Sequence, residues 1–343
     1  MACYHPLNAY QSLTQKNENG KKIVTFSNIG MPKGSYEQIQ LPCNQCIGCR
    51  IDRSRDWALR CVHEASMWTD NCFITLTFDD ENINKLGTLV KSDFQKFIKR
   101  LRKKFRGNES TYNEKGKLHY PIRYFHCGEY GTDYQRPHHH ACIFNFDFLD
   151  KELWTLRSGT KLFRSKQLEK LWPYGFCTVG EVTFESAAYC ARYITKKITG
   201  EKAEENYSYN GYVDKETGEC YKNYPLSHGE LVEERIPFQP EYITMSRRPG
   251  IGKGWYEKYG ETDIRSKDFC TLNGKKFKTP RFYDKIYDEI DRKKMEVIRE
   301  QRKENAKKYQ ENNTLDRLHV REEIQKVKAK KLIRGYENEA ASI

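Results

Sequence analysis

The sequence predicts an α+β fold: an antiparallel sheet of βαββαβ type with helices on one face, flanked by a Cys-rich N-terminal section and a helical C-terminal tail. Three observations lead there. Between residues 72 and 183 the apolar spacing alternates between a period of two and one of 3.6, giving strand, helix, strand, strand, helix, strand. The two middle strands follow each other closely, as in a hairpin. No stretch approaches the roughly 18 apolar residues of a membrane span.

Residues 1–66 read as an irregular section. Its distinctive stretch is Cys43-Asn-Gln-Cys46-Ile-Gly-Cys49-Arg50, two overlapping Cys-x-x-Cys units with a turn at Gly48. Such a knuckle lets several thiolates converge on zinc, which needs four ligands. Cys43, Cys46 and Cys49 supply three; Cys3 is the first candidate for the fourth, with His5, Cys61 and His63 behind it. Three reduced thiols in a turn is the plainer alternative. Arg50–Trp68 reads as a helix that mixes Trp57, Leu59, Cys61 and Ala65 with Arg50, Arg53, Arg55 and Arg60. Those arginines suit phosphate contacts or an ordinary solvated face.

Residues 67–200 carry the sheet. Cys72–Phe78 alternates, with Phe73, Thr75 and Thr77 on one face. Ser92–Phe105 is an amphipathic helix, with Ser92 as N-cap and Phe94, Phe97, Ile98, Leu101 and Phe105 as its apolar stripe. A polar loop over 107–117 leads to strands at Ile122–Cys127 and His138–Phe146. A short helix at Arg164–Trp172, a strand at Gly175–Thr183 and a helix at Glu185–Ile198 follow.

Residues 201–290 form an accessory basic and aromatic region. It is polar and tyrosine-rich to about 235, then gives a short strand and the glycine-rich turn Ser246-Arg247-Arg248-Pro-Gly-Ile-Gly-Lys253-Gly-Trp255. This turn lacks the G-x-x-x-x-G-K-[ST] pattern, so no ATPase is inferred. Arg247, Arg248 and Lys253 suit DNA phosphates; an ordinary turn fits equally. Residues 291–343 read as a charged helical tail.

Composition narrows the function. The 343 residues fit one large domain or two small ones. Hydrophobic residues at 37% supply a core, while 31% charged residues leave a polar surface; mean hydropathy is −0.89. A net charge of +13 favours a polyanionic partner, nucleic acid first, and 23 tyrosines offer stacking surfaces for unpaired bases. The N-terminus has no apolar signal core. The 12 cysteines are therefore expected in a reducing compartment, as core thiols or metal ligands.

Two constellations carry chemistry. In a strand, His138 and His140 project together and His139 points away. If the preceding strand pairs with this one, Glu129 returns beside them. His126 or Asp133 are substitutes for Glu129. Two imidazoles and a carboxylate leave open coordination positions, which suits a catalytic divalent metal. A surface histidine patch is the plainer alternative. On the last helix, Tyr189, Tyr193 and Lys197 recur at i, i+4 and i+8, one helix face, flanked by Arg192 and Lys196. An aromatic core stripe is the ordinary reading of such spacing, but these cations make its burial awkward.

Together, Phe73-Ile-Thr-Leu-Thr77, His138-His139-His140 and the Tyr189/Tyr193 helix resemble the three ordered motifs of HUH endonucleases: rolling-circle initiators, relaxases and certain transposases. The middle motif is normally His-hydrophobic-His; His139 departs from it at the position that points away. The paired tyrosines, with 42–50, Cys127-Gly-Glu-Tyr-Gly131 and 246–255, resemble the replication initiation proteins of gokushovirus-type microviruses over about residues 1–260. The resemblance implies an HUH endonuclease core and a DNA strand transferase using Mg²⁺ or Mn²⁺. Its metal ligands would be Glu129, His138 and His140, its nucleophiles Tyr189 and Tyr193, and its charge stabiliser Lys197. Arg192, Lys196, Arg247, Arg248 and Lys253 would contact DNA. The expected partners are single-stranded or melted origin DNA, and a host helicase and polymerase, in the bacterial cytoplasm; no membrane is involved. Competing readings are a plasmid relaxase or transposase-type nuclease, a metal hydrolase using water, and a non-catalytic nucleic-acid-binding protein with a structural metal.

Overall fold

Alternating polar segments near the N-terminus pair with one another in the computed structural model. It describes residues 3–18, 20–30, 32–105, 111–112, 118–119, 122–131, 135–157, 159–196, 202–225 and 230–330. β1 (Leu7–Lys16), β2 (Lys22–Thr25) and β3 (Tyr36–Leu41) form an antiparallel sheet in the order β2-β1-β3. The section expected to be irregular is therefore largely a sheet. β1 buries only Ala9 and Ser12, so hydropathy does not mark it. α1 (Ile47–Ala65) follows.

The period-two segments further on assemble into one seven-stranded sheet. After β4 (Asn71–Thr77) comes α2 (Lys91–Lys104) and a small ribbon of β5 (Thr111–Tyr112) and β6 (Leu118–His119). Then come β7 (Arg123–Tyr130), β8 (Pro137–Phe144), the hairpin β9 (Glu152–Arg157) and β10 (Thr160–Arg164), α3 (Lys166–Leu171), β11 (Cys177–Gly180) and α4 (Phe184–Lys196). The region expected to be merely polar holds α5 (Lys202–Asn206) and a second sheet of β12 (Ser208–Asp214), β13 (Cys220–Tyr221) and β14 (Leu231–Pro237). β15 (Tyr242–Met245) returns to the large sheet, whose order is β15-β7-β8-β4-β11-β10-β9, antiparallel throughout. α6 (Lys253–Gly260), the ribbon β16 (Phe269–Leu272) and β17 (Lys275–Lys278), and α7 (Arg281–Ile290) follow. The tail is two helices, α8 (Arg292–Lys307) and α9 (Leu315–Lys330), with a turn of 3₁₀ helix between them.

The described chain divides into two units, Met1–Arg53 with Ile290–Ile333, and Ser54–Glu289. The expected separation at 66, 200 and 290 is not the division found. In the first unit His5 Nε2 lies 2.7 Å from Glu322 Oε2, which joins the start of the chain to α9. Among the described residues, no helix is long and apolar enough to cross a membrane.

In the second unit the sheet is buried on both faces. α2 and α3 cover one face, packing Phe94, Phe97, Ile98, Leu101 and Leu168 on Cys72, Ile74, Leu76, Ala141, Ile143 and Val179. Trp172 closes this core, its Nε1 donating to the Thr77 carbonyl at 2.7 Å. The other face, with Phe73, Phe125, Cys127, Cys142 and Phe144, is covered by Ala187, Tyr189, Cys190 and Ala191 of α4 and Ala58 and Cys61 of α1. The expected Ser92 cap is not formed: α2 is preceded by Val90, which makes no side-chain cap, and Ser92 lies inside the first turn. α4 starts at a reciprocal cap instead. The Thr183 N–H donates to Ser186 Oγ at 2.8 Å and the Ser186 N–H donates to Thr183 Oγ1 at 3.1 Å.

Three histidines are packed away in this unit. His63 lies flat on Trp255 with ring centroids 3.6 Å apart, and burial pushes its pKa down to about 4 from the usual 6.5. Burial, with the nearby His138 and His140 charges, brings His139 down to about 3, and His126 falls well below its usual value for the same reasons. A base with a depressed folded pKa binds its proton more readily when unfolded. The stability tied to its neutral form is therefore complete above 6.5 and lost as the pH falls toward the folded value. Equilibrium urea unfolding should show a midpoint that drops between pH 6.5 and about 4, and His63→Gln should flatten the drop. A midpoint that stays level through that window in the parent protein would contradict the neutral buried histidines.

Candidate metal and nucleophile site

Strand register builds the site. β8 lies between β4 and β7, with His138 opposite Glu129 and Thr77, and His140 opposite Cys127 and Thr75. Directly opposed residues share a face. Glu129, His138, His140, Thr75 and Thr77 therefore all project toward α4. His139 projects to the other face, where its Nδ1 lies 3.2 Å from His126 Nε2 and Phe94 stacks on His126 with centroids 3.6 Å apart. His126 is thus on the wrong face to replace Glu129.

The three donors converge. Glu129 Oε1 is 2.7 Å from His138 Nε2 and 2.9 Å from His140 Nε2, and ligand atoms of all three residues lie within 4.8 Å of one another. The cluster is closed to solvent: Glu129 is 0% exposed, His140 1% and His138 5%. Each ring is held by its outer nitrogen. His138 Nδ1 lies 3.0 Å from the Arg136 carbonyl, and His140 Nδ1 lies 2.9 Å from Thr75 Oγ1. A carbonyl only accepts, so His138 Nδ1 carries the proton there. A neutral His138 then turns its Nε2 lone pair on a carboxylate oxygen. That contact requires positive charge between the two, from protons on the imidazoles or from one cation. Burial alone would raise the Glu129 pKa, but the His138 and His140 charges and hydrogen bonds outweigh it and hold it at about 2.

This donor set fits a divalent metal. Two imidazole Nε2 atoms and a carboxylate point at one spot, and the outer nitrogens are fixed as metal-bound histidines usually are. Glu129 Oε2 is buried and has no hydrogen-bond partner among the described residues, which leaves a second oxygen for a cation.

α4 adds a phenol. Tyr189 is 1% exposed, and its hydroxyl donates to Glu129 Oε1 at 3.0 Å. Its ring meets His140 edge-on with centroids 4.9 Å apart, and the Arg192 guanidinium lies 5.3 Å from the ring centre. Tyr193 follows one helical turn later on α4. The side chains of Tyr193 and Lys196, and all of Lys197 and Asp133, lie outside the described residues.

The glycine-rich turn is a built loop. Glu64 of α1, itself buried, accepts from Arg123 Nε and, at 2.7 Å, from the Gly252 N–H. Arg123 Nη2 donates to the Pro249 carbonyl at 2.8 Å, and Arg60 Nε to the Ile251 carbonyl at 3.0 Å. Gly252 has φ +77, and a Cβ there would come within 2.5 Å of Tyr283 Oη. Held this way, the turn leaves Arg247 and Arg248 exposed, while Lys253 Nζ lies 3.4 Å from Glu257.

Cys3, Cys43, Cys46 and Cys49 gather in the first unit. The other fourth-ligand candidates are engaged elsewhere: His5 with Glu322, Cys61 in the core under α4, and His63 on Trp255. All twelve cysteines are free thiols. Sequence reading missed Thr75 as the partner of His140 and Glu64 as the anchor of the turn. Alternation had put Thr75 on the right face, but which residue it opposes depends on register.

The family model for replication-associated proteins of the ORF2 type matches residues 71–198. Replication-associated protein VP4 of Bdellovibrio phage phiMH2K is 33% identical over 289 residues, covering 84% of this chain and 77% of that protein. Replication-associated protein ORF2 of Spiroplasma virus 4 is 31% identical over 323 residues, covering 90% of this chain and 88% of that one. Replication-associated protein ORF4 of Chlamydia phage 1 is 29% identical over 190 residues, 54% of this chain and 45% of its own length. No solved structure matches the chain significantly.

Thr75→Val keeps the shape of the strand but removes the hydroxyl beside His140 Nδ1. Loss of such an outer partner costs about 10- to 100-fold in metal affinity. Titration with Mn²⁺, followed by electron paramagnetic resonance, should show that weakening in T75V and no binding at this site in Glu129→Ala. Equal affinity in T75V and the parent protein would remove Thr75 from the site.

Proposed function

We propose, since the chain belongs to the replication-associated proteins that include those of phage phiMH2K and Spiroplasma virus 4, that it initiates phage DNA replication by tyrosine strand transfer at the origin. The observation that carries this reading is the Tyr189 hydroxyl 3.0 Å from Glu129 Oε1, the same oxygen that faces both imidazole Nε2 atoms. A nucleophile and a cation site share one pocket.

In this reading the phenol oxygen of Tyr189 or Tyr193 attacks the scissile phosphorus. The bond to the 3′ oxygen breaks, the 5′ phosphate stays on the tyrosine, and the freed 3′ oxygen takes a proton to become a primer for the host polymerase. The phosphotyrosine ester keeps the energy of the broken bond, so rejoining needs no ATP. After one round the second tyrosine attacks the regenerated origin. The newly freed 3′-OH then attacks the first phosphotyrosine, closing a single-stranded circle. Tyrosines one helical turn apart can serve one centre in alternation.

The chain's own groups divide the labour. Glu129 accepts the Tyr189 hydrogen bond and so aims the phenol. Mg²⁺ or Mn²⁺ held by Glu129, His138 and His140 would supply charge at the phosphate and favour phenolate over a phenol whose ordinary pKa is about 10. Arg192, Lys196 and Lys197 would offset charge on the DNA, and Arg247, Arg248 and Lys253 would hold its backbone. A net charge of +13 fits single-stranded or melted origin DNA as the substrate. A host helicase would open the duplex, and the reaction would run in the bacterial cytoplasm.

The test is a covalent-adduct assay with the phage's own circular genome, single-stranded and supercoiled, with Mn²⁺ or chelator. A metal-dependent protein–DNA band on a denaturing gel is expected. It should vanish in the Tyr189→Phe/Tyr193→Phe double variant, and the single variants should show which tyrosine cuts first. Nicking with no adduct would replace tyrosine by water as the nucleophile. Tight binding without nicking would leave a binding module.

A further inference from the structure

We propose that Cys3, Cys43, Cys46 and Cys49 hold one zinc ion as a closed structural centre in the first unit, independent of the Glu129 site. The four sulfurs lie within 4.8 Å of one another, and Cys3 Sγ is 4.0 Å from Cys46 Sγ. Tetrahedral zinc with Zn–S bonds of about 2.3 Å sets its sulfurs about 3.8 Å apart. A disulfide needs about 2.05 Å, and none is formed. The spacing matches a shared ion and not a bridge.

The backbone around the sulfurs is arranged for thiolates. The Cys43 N–H donates to Cys3 Sγ at 3.2 Å, the Tyr4 N–H to Cys46 Sγ at 3.3 Å, and the Gln45 and Cys46 N–H groups to Cys43 Sγ at 3.4 and 3.2 Å. Amide donors spread the negative charge of a tetrathiolate. Asn44 takes φ +61, the left-handed corner that turns these amides inward. The Cys46 carbonyl accepts the Arg50 N–H at 3.0 Å, which opens α1. Cys46 and Cys49 thus sit at the positive end of a helix, where thiolates are favoured.

The sheet prepares the meeting. β1 and β3 pair Leu7 with Leu41, so the segments leaving those two positions, toward Cys3 and Cys43, start side by side. Cys3 is 2% exposed, and Cys46 and Cys49 are each 8% exposed. Four sulfur ligands fill the tetrahedron, with no place for water or substrate, so the role is to fix the fold. Zinc replaces whatever protons the thiols still carry, and no oxidation step is involved.

The test uses the full chain, purified with zinc in the growth medium and no chelator. Plasma mass spectrometry should find about one zinc per chain, as for a structural tetrathiolate. It should be retained in Cys270→Ser and in His138→Ala/His140→Ala, and lost in Cys43→Ser. Replacement by Co²⁺ in the parent protein should give the intense visible spectrum of tetrahedral cobalt thiolate. This reading does not depend on a variant folding. Zinc lost with the histidine pair but kept in Cys43→Ser would overturn the proposal. So would iron at the cysteines, or a folded, metal-free parent protein whose four thiols react at once with Ellman's reagent.

Discussion

The position of β8 between β4 and β7 is the constraint on which the rest depends. Side chains on a strand alternate, so a slip of one residue would exchange His138 and His140 for His139 and send Ala141 and Ile143 to the wrong core. Register is therefore fixed by two cores at once. Below the sheet, Ala141 and Ile143 must meet α2 and α3; above it, Cys142 and Phe144 must meet α4 and α1. The metal-type cluster inherits its precision from this packing. Three ligand residues come from two adjacent strands, and the phenol comes from a helix whose start is tied by Thr183 and Ser186.

A buried carboxylate between two imidazoles is electrostatically demanding. Removing ions from water costs several kcal/mol each unless they are well compensated. Here each outer histidine nitrogen has its own partner, and Tyr189 donates to the carboxylate as well. The cluster is consequently held in shape by neighbours that would not themselves touch a cation. A second buried ion pair, Glu64 with Arg123, acts differently: it binds the 249–252 turn to α1 and β7 through backbone groups. One buried ionic group is aimed at chemistry and the other at loop geometry.

Much of this was legible in the sequence, and the reason differs by element. Strong amphipathic periodicity gave α2, and alternation gave the shared face of His138 and His140. Proximity in sequence made Glu129 the natural third member. The sheets at 7–41 and 208–237 were not visible, because their strands stay largely solvated and carry few apolar markers. The β9–β10 hairpin escaped for a related reason: it extends the large sheet while leaving Leu153 and Leu156 exposed. Long-range partners such as Thr75 with His140, or Glu64 with Gly252, depend on tertiary register that no local pattern encodes.

The first unit is discontinuous, and this orders its assembly on the ribosome. Its four cysteines and three strands have all been synthesised once α1 has begun, so that half can form while most of the chain is still unmade. α8 and α9, which belong to the same unit, emerge only after the whole second unit. Contacts such as His5 with Glu322 join residues 317 positions apart in sequence, and closures of that span are slow to form. The nascent N-terminal piece must wait, with the surface that faces α9 open, until translation is nearly finished. The last folding step of this protein is thus one that brings its end back to its beginning.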